Sequence, residues 1–178
     1  MQEIACLLAR SHVFEELEEL LSSLLGSSIS TKQIQRVNEH YGEQLEVLSE
    51  SFQEGLSDPP VLETRLSDTV YAMVDGSMVF TREDGWKEMK VGRPYAKSSR
   101  VDIQTERTAV TDSLYVCHLG RHQDFFNKFD PYLDLYKNKV IIADGAKWIW
   151  NWADDCQCDA VQIPDFFHAI EKLSTYAA

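Results

Sequence analysis

The chain has 178 residues, 44% hydrophobic and 26% charged, which are the proportions of a globular protein with one ordinary domain and a small appendage. Its net charge of −12 weighs against a free-standing nucleic-acid binder, because phosphate contacts need lysine and arginine. No apolar stretch reaches the length of a membrane span and no secretory signal opens the chain, so no membrane partner and a cytoplasmic location are expected.

Residues 1–55 read as helical. Val13, Leu17, Leu20, Leu21, Leu24 and Leu25 recur at helical spacing, with Glu15, Glu16, Glu18 and Glu19 on the other side. Gly26 breaks that pattern. Ser30 then reads as an N-cap with Gln33 at the capping-box position, opening a helix whose apolar stripe is Ile34, Val37, Tyr41, Leu45 and Leu48. Two helices across a short turn fit either a plain helical hairpin or a helix-turn-helix in which Lys32, Gln33, Gln35 and Arg36 read a DNA groove. This stretch carries ten acids against three bases, so the objection from net charge weakens for the remainder.

Pro59 and Pro60 cannot continue a helix, and they mark a boundary between a helical segment, 1–58, and a second domain, 59–178. Beyond them Thr69–Thr81 is an apolar strand of the kind buried on both faces. Arg82–Gly85 is a hairpin turn, and Trp86–Val91 alternates as a second strand. A third strand is expected near Thr108–Leu119. An amphipathic helix follows over Arg121–Tyr136, with a break or kink at Pro131. A strand at Val140–Ala143, a helix from Ala146, a strand at Val161–Ile163 and a helix from Phe166 complete the order. That order, β-β-β-α-β-α-β-α after a helical segment, is α/β and describes a ribonuclease-H-like mixed sheet. In such a sheet the first strand is central and the fourth lies parallel beside it.

Two aspartates stand out, Asp75 and Asp144, each embedded in an apolar strand and each followed by glycine. A carboxylate buried in a sheet is costly unless it is paired, hydrogen-bonded or metal-bound. Taken singly, either residue could simply cap a turn. Side by side on parallel strands they would form a site for a divalent cation acting on phosphate. Asp165 reads as a helix N-cap and His168 lies one turn further on, so both are candidates for orienting that site. Lys87, Lys90 and Arg93 on the second strand suit a DNA backbone or a solvated sheet edge, and Lys147 beside Trp148 suits a phosphate. Of Trp148, Trp150 and Trp152, one or more should cover the core. The four cysteines are scattered, and Cys156-x-Cys158 is too close for a zinc knuckle, so reduced thiols are expected.

Four motifs in this order resemble bacterial insertion-sequence transposases of the DDE type, in particular the ISKra-type, Mutator-related group. They are Val74-Asp75-Gly76-Ser77, Gly85–Arg93, Ala143–Trp150 and Asp165-Phe-Phe-His168-Ala-Ile-Glu171. The resemblance covers most of residues 30–176. It implies a ribonuclease-H-like catalytic domain in which Asp75 and Asp144 are the first two catalytic acids and hold Mg²⁺ or Mn²⁺, two ions in a complete enzyme. Asp165 and His168 match the Asp-x-x-His element. The implied partners are DNA, as terminal repeats and target, and a second copy or a complementing C-terminal fragment. The family's third acid, a glutamate, is expected after a helical insertion beyond that element, and this sequence carries none there; Glu171 is tied to the wrong element. The chain is therefore expected to be an N-terminal part with weak or no strand transfer and a dependence on a partner. The rival expectations are a catalytically inactive DNA-binding or regulatory fragment, and a phosphatase or nucleotide hydrolase on another α/β fold. The last is disfavoured by Ser77 where a second aspartate is needed, and by the lack of a glycine-rich phosphate loop.

Overall fold

The computed structural model describes residues 2–26, 28–55, 57, 69–104 and 107–177, and the chain divides into two compact units, Met1–Pro60 and Val61–Ala178. Pro59 and Pro60, the expected boundary markers, lie outside the described residues.

Among the described residues the first unit has three helices: α1 (Gln2–Leu8), α2 (Phe14–Leu25) and α3 (Thr31–Gln53). Ala5, Leu17, Leu21 and Ile34 form its buried core, with Leu8, Phe14, Leu20 and Ile29 packed around them. Gly26 ends α2 in the left-handed conformation, at φ 63°, which glycine adopts without a Cβ penalty. Ser30 and Gln33 close the expected capping box. The Glu18 carboxylate accepts from the Thr31 amide at 2.7 Å and from its hydroxyl, which ties α2 to the start of α3 and holds the Glu18 pKa below the usual range. Along α3, Ile34 near its start and Phe52 near its end are buried, whereas Tyr41, Leu45 and Leu48 between them are exposed.

The second unit is α/β, built on a mixed five-stranded sheet. Strands β1 (Thr69–Thr81) and β2 (Gly85–Ala96) form a long antiparallel hairpin, turned at Gly85 with φ 72°. The segment that follows differs from expectation. Instead of one strand from Thr108, a separate two-stranded ribbon of β3 (Arg100–Gln104) and β4 (Arg107–Val110) precedes a short β5 (Val116–Leu119). The chain turns between β4 and β5 because the Ser99 carbonyl accepts from both the amide and the hydroxyl of Thr111. Helix α4 (His122–Leu133), β6 (Asn138–Ala143), α5 (Lys147–Cys156), β7 (Val161–Pro164) and α6 (Phe166–Ala177) then follow as read from the sequence. Pro131 lies in the last turn of α4, where the helix runs through it. Spatial order is β5-β2-β1-β6-β7, with β5, β2 and β1 antiparallel and β1, β6 and β7 parallel.

Only one face of this sheet is covered among the described residues, which corrects the expectation of a strand buried on both faces. Val70, Ala72, Val74, Ile141 and Ala143 are buried, whereas Met73 and Asp75 on the alternate positions are exposed. The cause is helix placement. Gly92 faces the Phe125 and Phe129 rings of α4 so closely that a Cβ would stand 2.5 Å from Phe129 Cε2. Trp152 of α5 stacks on Phe126 of α4 at 4.2 Å and donates its indole N–H to Asp130 at 3.0 Å. Trp152 is thus the tryptophan that covers the core.

Candidate metal centre

The register of the three parallel strands brings the singled-out acids together. Val74 of β1 pairs with Ala143 of β6, which pairs with Pro164 of β7. Asp75, Asp144 and Asp165 each come one residue later, so a row of three carboxylates crosses the sheet where the parallel pairing stops, at the ends of β6 and β7 and midway along β1. The Asp165 amide continues the ladder, donating to the Ala143 carbonyl at 2.7 Å. All three line one cleft of about 150 Å³ with Arg93 and His168 over an apolar floor of Met73, Val91 and Ile142.

Each carboxylate is anchored by one oxygen. Asp75 Oδ1 accepts from the Gly76 amide at 2.7 Å, Asp144 Oδ1 from the Ala146 amide at 2.9 Å, and Asp165 Oδ1 from the Phe167 amide at 2.8 Å. Asp165 therefore also fulfils its cap role on α6, and the Phe167 amide bond holds its carboxyl below the usual aspartate range, with His168 assisting. His168 Nδ1 stands 3.5 Å from Asp165 Oδ2. A Cβ at Gly76 would lie 2.4 Å from Glu88 Oε1, the end of a flexible side chain whose carboxylate pairs with Lys90 at 2.8 Å.

The donor set suits a hard cation. Asp75 and Asp144 each keep Oδ2 without a protein hydrogen bond among the described residues, and Mg²⁺ is commonly held by one or two carboxylates while retaining several waters. Among the described residues no three His, Cys, Asp or Glu side chains are placed to chelate one ion. The fit is accordingly to a two-carboxylate, largely hydrated site. Asp75 is exposed, so the desolvation argument from the sequence does not apply, and the strand register takes its place.

The cationic residues scatter. Arg93 lines the cleft. Lys90 is on the opposite, helix-covered face, buried, paired with Glu88 and 5.8 Å from the Trp148 ring centroid, so β2 has no continuous positive face. Three positions separate Lys90 from Arg93, and an odd offset on a strand puts side chains on opposite faces. Lys87 pairs with Asp84 in the hairpin. Lys147 is exposed on the groove between α4 and α5, with Trp148, Trp152 and Asp130. Burial pushes the Asp130 carboxyl above the usual aspartate range, against the bonds from Trp152 and Gln157. In the first unit Lys32 and Arg36 are exposed at the start of α3, while Gln33 is engaged in the capping box. All four cysteines are free.

Three residues beside the cleft escape the sequence reading: Tyr95, Ser113 and Tyr115. Arg93 Nε donates to Ser113 Oγ at 3.2 Å, and its guanidinium lies 5.7 Å from the Tyr95 ring and 5.3 Å from the Tyr115 ring. The spacing of Arg93 and Tyr95, two apart on one strand, is the signal that would have found part of this group. No protein-family model matches the chain and no curated protein is similar to it. Among the described residues no helix is long and apolar enough to cross a membrane.

Proposed function

We propose that the Val61–Ala178 unit is a ribonuclease-H-like transposase domain acting on DNA phosphodiesters, with Asp75 and Asp144 as the cation ligands. The observation that carries this reading is the register in which the parallel pairing of β1 with β6 stops at Val74 opposite Ala143, one residue before each aspartate. The spatial order supports the fold: the first strand is central, flanked by its hairpin partner and by the parallel strand that follows the first helix. Held by Asp75 and Asp144, Mg²⁺ or Mn²⁺ would supply polarisation of an attacking oxygen and stabilisation of a leaving 3′-oxygen. The chain's own residues do the rest. Asp75 and Asp144 present one oxygen each while the other is fixed by a backbone amide, so the pair is preorganised. Arg93 offers a planar donor set to a non-bridging phosphate oxygen at the same cleft. Asp165, locked as the α6 cap, orients His168 against the row.

A second reading, a DNA-binding or regulatory fragment without chemistry, is favoured by the absence of a third chelating group among the described residues. Supercoiled plasmid carrying the element's terminal repeat, incubated at low salt with Mn²⁺, separates the two. Nicking by wild type that disappears in Asp75→Asn supports the transposase reading. Repeat binding without nicking, equal in wild type and Asp75→Asn, supports the second. No DNA binding at low salt removes both.

A further inference from the structure

We propose that the open sheet face beside the carboxylate cleft is a stacking track for single-stranded DNA, built from Arg93, Tyr95 and Tyr115 with Tyr71 at its far end. It rests on the phosphodiester reading of the cleft and extends it to the strand that leads there.

The construction is specific. Strand β5 pairs with β2 as far as Val116 opposite Gly92, so one further step of the same register sets Tyr115 opposite Arg93. The Leu114 amide continues that alignment, donating to the Pro94 carbonyl at 3.2 Å. Directly opposed residues of an antiparallel pair share a face, and i, i+2 residues of one strand do too. Arg93, Tyr95 and Tyr115 therefore stand together on the face that α4 leaves uncovered, and Tyr71, opposite Tyr95 on β1, stacks on it at 5.4 Å with the rings 14° apart. The result is a run of alternating π-faces and one guanidinium, Tyr71–Tyr95–Arg93–Tyr115, whose cationic member also lines the cleft with Asp75 and Asp144.

Burial requirements do not explain this group. Tyr115 is 57% exposed, so its ring is not core, and Arg93 takes its anchor from Ser113 rather than from a carboxylate. An arginine between the exposed Tyr115 ring and the half-buried Tyr95 ring supplies the elements of sequence-tolerant single-strand binding: bases stack on rings while the guanidinium meets the backbone. Duplex DNA does not offer these faces, because its bases already stack on one another. Arg93 is the cation of the track, and the carboxylates of Asp75, Asp144 and Asp165 lie in the cleft it adjoins.

Fluorescence anisotropy of a labelled oligothymidylate with the full chain, at low salt and in EDTA, tests the track without metal. Tyr115→Ala and Arg93→Ala are each expected to weaken binding about tenfold with an unchanged melting temperature, and Tyr115→Phe to stay within about twofold. Arg93→Lys, which keeps the charge but not the planar face, is expected to lose most of the affinity. The proposal is overturned if wild type does not bind the oligonucleotide, if it prefers the duplex, or if Tyr115→Ala binds like wild type. A parallel Mn²⁺ titration of Tyr115→Ala and of Asp75→Asn separates the two claims. Metal binding that needs Asp75, beside oligonucleotide binding indifferent to Tyr115, sinks the track and leaves the cation site. The reverse pattern sinks the cation site and leaves the track.

Discussion

Replacing Gly92 by alanine tests how α4 seats on the sheet that carries the site. An ideal Cβ at Gly92 meets Phe129 Cε2 at 2.5 Å, Phe129 Cδ2 at 2.7 Å and Phe125 Cζ at 2.9 Å, all far inside ordinary contact at 3.4 Å or more. Neither ring has room to yield: both are fully buried, stacked at 5.3 Å, and Phe125 also abuts Phe126 at 5.1 Å. Helix α4 must therefore lift by most of an ångström or the rings must leave their rotamers. Overpacking of this kind costs about 1–3 kcal/mol. At roughly 3–6 °C per kcal/mol for a unit of this size, the melting temperature should fall by about 5–15 °C. Urea unfolding followed by tryptophan fluorescence reads the loss. Phe129→Leu in the Gly92→Ala background should recover part of it, because the two changes act on one contact. Gly92→Ala as stable as wild type would refute this packing of α4 over β2.

Gly42 in α3 has open space around its missing Cβ, so Gly42→Ala should stabilise the first unit by about 0.5–1 kcal/mol in a helix-monitored thermal melt. Ser30→Ala removes the capping box and should cost about 1 kcal/mol in the same melt. Asp130→Asn should change the pH dependence of the second unit. A carboxyl raised by burial favours the folded state fully below the ordinary aspartate pKa of 3.8, and that contribution is lost as pH rises through the raised value. The stability of Asp130→Asn relative to wild type should therefore climb with pH above 3.8, and a difference constant across that window contradicts the assignment.

The regular elements from β6 onward were legible because each strand or helix has a clear period and a glycine, proline or cap at its ends. Asp165 is an example, closing β7 through its backbone amide and capping α6 with its side chain. The β3–β4 ribbon was not legible, because Val101 and Ile103 are exposed and, among the described residues, no buried face imposes a pattern on β3 and β4. The apolar run of β1 suggested burial on both faces, but β-branched and large side chains suit a half-open strand equally well, and only the position of α4 decides. The pairing of Asp75 with Asp144 could be inferred from strand order. The place of Asp165 after the second αβ unit marks it for orienting that site; that its carboxylate joins the row depends on β7 pairing with β6, which a cap aspartate does not encode. Tyr115 joined Arg93 through a pairing that extends past the end of β5, which no local pattern encodes.

The account rests on Asp75 and Asp144 sharing one cation. Titration of Mn²⁺ followed by electron paramagnetic resonance, on wild type, Asp75→Asn, Asp144→Asn and the double variant, measures that directly. Each single change should weaken the site roughly tenfold or more, and the double variant should lose little beyond either single one, as expected of two ligands to one ion. Equal Mn²⁺ affinity in wild type and the double variant would contradict it.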